Sequence, residues 1–239
     1  MIRILPAAWP LLGVRAFTTL RTGGTSMGPY ASLNLASHVG DVPRDVTANR
    51  IALQREMGIE GTPLWLNQVH GRVIVDAGAS FAAPPEADGS FATRPGVVCA
   101  VLTADCLPVV LADRRGRCVA VVHAGWRGLA AGVIEAGVAR LPVPPSQLVA
   151  WLGPAIGPAD YEVGDEVRRA FGRDARAAFT PNVSGRYYAD LYALARFRLK
   201  AAGVGAVYGG GRSSFSDPDL FSYRRTPVCG RMATLAWIA

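Results

Sequence analysis

The sequence predicts an α/β fold in one domain covering residues 1–239, and three observations carry that expectation. Apolar runs of strand length recur along the chain, and in residues 97–103 both alternating faces are apolar, the mark of a strand covered on both sides. These runs alternate with stretches of helical periodicity bounded by capping residues, as in residues 190–202, where Asp190 stands at the N-cap and Gly203 at the stop. Half of the 239 residues are hydrophobic, enough for one sizeable core.

The first strand covers residues 14–19, and RTGGTSMGPY follows as a glycine-rich loop with Gly23, Gly24 and Gly28. Such a loop either cradles an anion with its backbone N–H groups or simply turns the chain. SLNLASHVGD then sets Ser32, Asn34, His38 and Asp41 in a polar loop. Pro43 opens a helix with Val46, Arg50, Ile51, Leu53 and Met57 in its pattern, and Gly58 closes it. Residues 64–66 form a short strand leading into NQVHG, whose Asn67, Gln68 and His70 make a polar rim. A strand over residues 72–75 follows, and then a small-residue, proline-bearing loop over 77–88 that reads as exposed and ends at Asp88 and Gly89.

Residues 97–103 form the doubly covered strand, and the turn through Thr103, Ala104 and Asp105 leaves Cys106 at its end. A second buried strand over 107–111, a charged turn at 113–116 and a third strand over 118–122 return the chain to His123. The separation of Cys106 and His123, 123 − 106 = 17 positions, is compatible with their meeting and does not require it. After AGWRG, the residues Leu129, Val133, Ile134, Val138 and Leu141 mark one amphipathic helix. Its first amides and positive dipole end lie beside His123 and Arg127, which makes either a phosphate seat or only a tight strand-to-helix turn. A strand over 148–152, a rigid loop at Gly153, Pro154, Gly157 and Pro158, and a helix over 164–171 come next, with Tyr161 and Glu162 able to reach a cleft. The helix over 190–202 and a strand over 204–208 precede a polar tail. That tail carries Phe221, Tyr223, Arg224 and Arg225, a base-stacking or guanidinium-rich element, and a last strand over 232–238.

Composition excludes several classes of function. The net charge of +7 comes from 25 Lys plus Arg against 18 Asp plus Glu, and Lys200 is the one lysine. This excess either attracts anionic substrates such as phosphate or nucleotides or is an arginine bias spread over the surface. No basic run or aromatic-interleaved patch of the nucleic-acid type is present, so no nucleic-acid partner is expected. Cys99, Cys106, Cys118 and Cys229 match neither CxxC pairs nor a stapled scaffold, which points to reduced thiols and a cytoplasmic protein. The opening MIRILPAAWPLLGVR is broken by two prolines and lacks a small-residue cleavage site, so it is not read as an export signal. No apolar run approaches membrane-spanning length, and there are no repeats or low-complexity linkers.

His70, Cys106 and His123 are the chemical candidates. Three such soft or borderline donors, if they converge, suit a zinc ion with one position left open for catalysis. Cys106 and His123 alone also suit a metal-free thiolate hydrolase pair. Asp105 either orients a ligand, serves as a general base or caps its turn.

The segments NQVHG, LTADCLPVVL, VAVVHAGWRG, LGPAIGP with YEVGDEV, and FSYRR with GRMA occur in that order over nearly the whole chain. Together they resemble the laccase-domain (YfiH-like, polyphenol oxidase-like) family, later described as purine nucleoside phosphorylases. The resemblance implies a layered α-β-β-α arrangement with central mixed β-sheets and outer helices, and zinc held by His70, Cys106 and His123. It implies phosphorolysis of adenosine, inosine, guanosine and methylthioadenosine, with hydrolytic deamination of adenosine, so that purine nucleosides and phosphate are the expected partners of a monomer or small homo-oligomer. On that footing Arg50, Arg127 and the amides of residues 125–128 are the candidates for phosphate, and Asn34 and Asn67 for polar positioning. Copper is the alternative metal, but a copper-type polyphenol oxidase needs many histidines and the chain has only His38, His70 and His123. One departure stands out: relatives commonly carry a cysteine before the tyrosine-arginine motif, where this chain has Ser213 and Ser214.

Overall fold

Side-chain alternation along the central strands decides the layering in the computed structural model, which describes residues 1–173 and 175–239. In β6 (Leu107–Asp113), Leu107, Val109 and Leu111 face one core while Val110 and Ala112 face another. The same division runs through β7 (Val119–Ala124), with Ala120 and Val122 on one side and Val119 and Val121 on the other. A strand with two apolar faces must be covered twice, and it is.

These strands belong to a six-stranded mixed sheet of order β12-β8-β6-β7-β4-β3. Its other members are β3 (Ile74–Asp76), β4 (Gly89–Ala92), β8 (Leu148–Leu152) and β12 (Ala206–Gly209), with β3 parallel to β4 and β12 parallel to β8. An antiparallel four-stranded sheet, order β1-β2-β13-β5, lies against it. It contains β1 (Ile4–Pro6), β2 (Val14–Thr19), β5 (Cys99–Thr103) and β13 (Met232–Ile238). Val14, Ala16, Cys99, Val101 and Ala236 of this sheet interleave with Val110, Val121 and Trp151 of the other.

Helices close both outer faces. α1 (Pro43–Met57) packs Leu53 against Phe17, Leu102, Leu235 and Trp237. On the far side α2 (Trp126–Ala131), α3 (Val133–Arg140) and α5 (Leu191–Ala201) supply Leu129, Ile134, Leu194 and Leu199 to the core beneath β6 to β8. α4 (Asp165–Ala170) and a small sheet of β9 (Glu162–Val163), β10 (Phe179–Pro181) and β11 (Tyr187–Ala189) extend that core through Val163, Phe179 and Ala189. The order is therefore helix, sheet, sheet, helices, the α-β-β-α layering expected.

Several elements differ from the sequence reading. The one helix expected after AGWRG is two, because Gly132 at φ 89° ends α2 in the left-handed region and starts α3. Residues 64–66 make only a single bridge, Leu64 to Cys99. The exposed loop of 77–88 ends with Ala87 and Asp88 fully buried and runs directly into β4, which has no apolar periodicity to announce it. Among the described residues no helix is long and apolar enough to cross a membrane.

Register sets up the site. β6 and β7 are antiparallel with Pro108 opposite His123 and Leu107 opposite Ala124, so the residue just before β6 meets the residues at the end of β7. Those are Cys106 and His123.

Candidate metal centre

The ligating atoms of His70, Cys106 and His123 all lie within 4.8 Å of one another. Cys106 Sγ stands 3.8 Å from His70 Nε2, and the two imidazole rings meet edge to face with centroids 4.8 Å apart. Tetrahedral zinc with bonds of about 2.0–2.3 Å sets neighbouring donors about 3.5 Å apart, so the three need only small adjustments to share one ion. The donor set fits zinc.

A carboxylate holds both histidines. His123 Nδ1–H donates to Asp88 Oδ1 at 2.8 Å, which leaves Nε2 of the ring for a metal. The same buried carboxylate accepts the backbone N–H groups of Val69 (3.2 Å), His70 (2.9 Å) and Gly71 (2.6 Å). These bonds pin His70 in the left-handed region at φ 60°. Below them, the backbone N–H of His123 donates to the carbonyl of Asp88 at 2.7 Å. In the sequence Asp88 marks only the end of a loop. The signal that could have found it is the rule that a ligating imidazole needs an acceptor for its other nitrogen, which directs attention to the acids at the ends of the strands, Asp88 among them.

Electrostatics separates this cysteine from the others. Burial pushes the Cys99 thiol up to about 12 and Cys118 up to about 11, and raises Cys229 as well. Burial also works against the Cys106 thiolate, but His123 and His70 outweigh it and hold this thiol well below its ordinary value. Burial pulls His123 down in turn, yet the charge of Cys106 and the bond to Asp88 bring it out above the usual imidazole range. Asp88 stays below the usual carboxylate range because His123 and the backbone donors overcome its own desolvation. The pocket without metal is thus a thiolate and imidazolium pair braced by a carboxylate.

Gly125 matters here through its missing side chain. A Cβ at this position would stand 2.9 Å from Cys106 Sγ and 3.1 Å from His70 Cδ2, inside the ligand set. The glycine after the histidine therefore keeps room for the donors to converge.

The three donors line a cavity of about 430 Å³ together with His38, Arg127, Tyr161, Tyr223, Arg224 and Arg231. Arg127 lies over the Trp126 ring at 4.6 Å. Burial raises the Tyr161 phenol, so it remains a hydrogen-bond donor. Thr103 also lines the cavity, 2 % exposed, with no hydrogen-bond partner for its hydroxyl among the described residues.

The other candidate residues are placed differently. Asn34 is buried outside the cavity lining, donating to the Ala36 carbonyl at 3.0 Å and to Asp41 at 2.9 Å and accepting from the Arg231 amide at 3.0 Å. Arg50 turns its guanidinium onto the Leu35 carbonyl and over the Trp65 ring at 4.1 Å, away from the lining. Asn67 faces Glu86 across 3.5 Å and is not in the lining. Asp105 is in the lining, next to Cys106, with both carboxylate oxygens taken by Ser214 Oγ–H and the Arg224 N–H at 2.6 Å each. Ser213 bonds Asp160 at 2.7 Å and accepts from the Gly157 amide at 3.0 Å, so both serines are committed to bonds between loops.

Comparison with known proteins places the chain. Residues 15–239 match the family model described as multi-copper polyphenol oxidoreductase laccase. The purine nucleoside phosphorylase of Pseudomonas aeruginosa is 52% identical over 236 residues, covering 96% of each chain. The purine nucleoside phosphorylase YfiH of Escherichia coli K12 is 45% identical over 243 residues, covering 100% of each. A crystal structure from Neisseria meningitidis superposes with a TM-score of 0.95 at 47% identity over 98% of each chain. With the resemblance of its motifs borne out along the whole matched span, the chain belongs to this laccase-like family of YfiH-type proteins.

Proposed function

We propose that this protein is a zinc-dependent purine nucleoside phosphorylase that also deaminates adenosine. Its substrates on this reading are adenosine, inosine, guanosine and methylthioadenosine with phosphate. The names of relatives at 45% and 52% identity support the phosphorylase reading. The observation that carries it is the convergence of His70, Cys106 and His123 in a cavity of about 430 Å³ whose rim is cationic. That volume suits a small-molecule ligand.

Zinc, when bound, supplies Lewis acidity and a water of lowered pKa at neutral pH, which is what hydrolytic deamination of a purine requires. Asp88 fixes the ring of His123 and the backbone of His70, so the donors are preorganised. Phosphorolysis requires phosphate held beside the anomeric carbon, with stabilisation of positive charge on the sugar and of the departing base. Arg127, fixed on the Trp126 ring and with no carboxylate partner among the described residues, is suited to the phosphate. Tyr161 offers a donor to the leaving purine, and the unpartnered Thr103 hydroxyl offers a bond to substrate. Asn34, Arg50 and Asn67 lie behind or outside this lining and act, on this reading, through the packing of the wall.

The protein is taken to work in the cytoplasm on free nucleosides, as a monomer or small homo-oligomer. Copper is the alternative metal; His38 is the one further histidine in the lining, too few for a multicopper oxidase set. The test is adenosine incubated with and without phosphate, the products separated by chromatography. Phosphate-dependent adenine and phosphate-independent inosine are expected. Neither product from metal-loaded protein overturns the reading.

A further inference from the structure

Asp105 sits in the left-handed region at φ 91°, a conformation that is costly for a residue with a side chain and persists only where the surroundings hold it. Three bonds hold it. Its carbonyl accepts the Ile156 amide at 2.9 Å, Oδ1 accepts Ser214 Oγ–H at 2.6 Å, and Oδ2 accepts the backbone N–H of Arg224 at 2.6 Å. The residue next to the metal ligand Cys106 is thereby tied to two loops, the one after β8 that carries Ile156 and the one between β12 and β13 that carries both Ser214 and Arg224.

The last of these loops carries two adjacent arginines with opposite fates. Arg225 turns into the loop itself, donating to the carbonyls of Ser214 (3.0 Å), Phe215 (2.6 Å), Asp217 (3.2 Å) and Leu220. Arg224 turns into the cavity, where its guanidinium lies over the Tyr161 ring at 5.4 Å and gives one donor to the Glu162 carbonyl at 3.1 Å. It has no carboxylate partner among the described residues, so most of its fork is left for an anion. Both Arg224 and Arg127 act on the Tyr161 phenol, as does Cys106, so the two guanidiniums and the ligand cysteine share one neighbourhood.

We infer that Arg224 is a phosphate-binding arginine of the site and that Asp105 is the positioning residue that holds it beside Cys106. Each Asp105 oxygen anchors one bond to the loop that carries Arg224, and its contribution is geometric. This rests on the phosphorylase reading above.

The test compares metal-loaded wild type with Asp105→Asn, Ser214→Ala, Arg224→Ala and Arg224→Lys. Inorganic phosphate binding is followed by calorimetry, the KM values for phosphate and adenosine by steady-state kinetics, and metal content by elemental analysis. Loss of a charge-assisted bond predicts that Arg224→Ala and Asp105→Asn raise the phosphate Kd and KM about tenfold or more. Arg224→Lys recovers part of this, Ser214→Ala moves it less, and the adenosine KM and metal content stay within about twofold in all four. Wild-type phosphate constants in Arg224→Ala overturn the assignment of Arg224. Wild-type phosphate constants in Asp105→Asn, with kcat reduced and one arm of the pH profile lost, overturn the positioning role in favour of acid-base catalysis. If Asp105→Asn does not fold, Ser214→Ala with Arg224→Ala decides. Phosphate binding without phosphorolysis in wild type refutes the functional reading and leaves the inference to the binding constants, whereas no phosphate binding at all refutes both.

Discussion

The carboxylate of Asp88 joins the two histidines of the candidate metal centre: Oδ1 takes His123 Nδ1–H at 2.8 Å and the His70 backbone N–H at 2.9 Å. The two ligands come from distant parts of the chain, one on the loop before β3 and one at the end of β7, and they share this single buried acceptor.

Asp88→Ala frees both histidines at once. Loss of such outer partners costs about 10–100-fold in metal affinity, and this one serves two ligands, so the upper part of that range is expected. Competition with a chelator measures it. Unchanged zinc affinity in a folded Asp88→Ala protein contradicts the role given to this carboxylate.

Gly125→Ala places a methyl group 2.9 Å from Cys106 Sγ and 3.1 Å from His70 Cδ2. Because φ at Gly125 is an ordinary −67°, alanine suits the backbone and the fold is retained while the donors are pushed apart. Elemental analysis should find sharply reduced zinc in a protein with native circular dichroism. Full zinc occupancy contradicts the steric account.

The thiolate state of Cys106 sets a pH dependence. In metal-stripped protein His123 and His70 outweigh the burial of Cys106 and lower its thiol to about 6, against ~8.5 for an ordinary cysteine. Only the thiolate reacts, so alkylation rises with pH through a midpoint near 6, and replacing His123 moves that midpoint upward. Protons compete with metal for the same atoms, so zinc retention falls as pH drops through this range. Asp88, held below the usual carboxylate range, remains ionised throughout. A midpoint of about 8.5 in wild type contradicts the paired state.

The candidate set of His70, Cys106 and His123 was legible because each member stands at the end of an apolar run or beside a glycine, and the register of β6 against β7 turned a separation compatible with contact into convergence. The α-β-β-α layering came with the family resemblance; the residues themselves carried only the doubly apolar strand over 97–103, and the alternation in β6 and β7 gives the physical reason for cover on both faces. Asp88 was hidden because small residues and prolines read as exposed, and a lone acid at a loop end carries no periodicity that reports burial. Arg50 was ambiguous in a different way. A helical pattern places it on α1 but cannot say that its guanidinium turns onto the Leu35 carbonyl and Trp65. Gly132 shows the limit of pattern reading within a helix, where one glycine was compatible with continuity and the chain used its left-handed conformation to break.

The central claim is that the His70, Cys106 and His123 set holds one catalytic zinc ion. Metal-stripped protein titrated with zinc, with adenine release from adenosine and phosphate followed at each addition, tests it most directly. The account predicts no release at the start, a linear rise that saturates at about one equivalent for a single three-donor site, and no response in Cys106→Ala. Full turnover in stripped protein, or in Cys106→Ala without zinc, contradicts it.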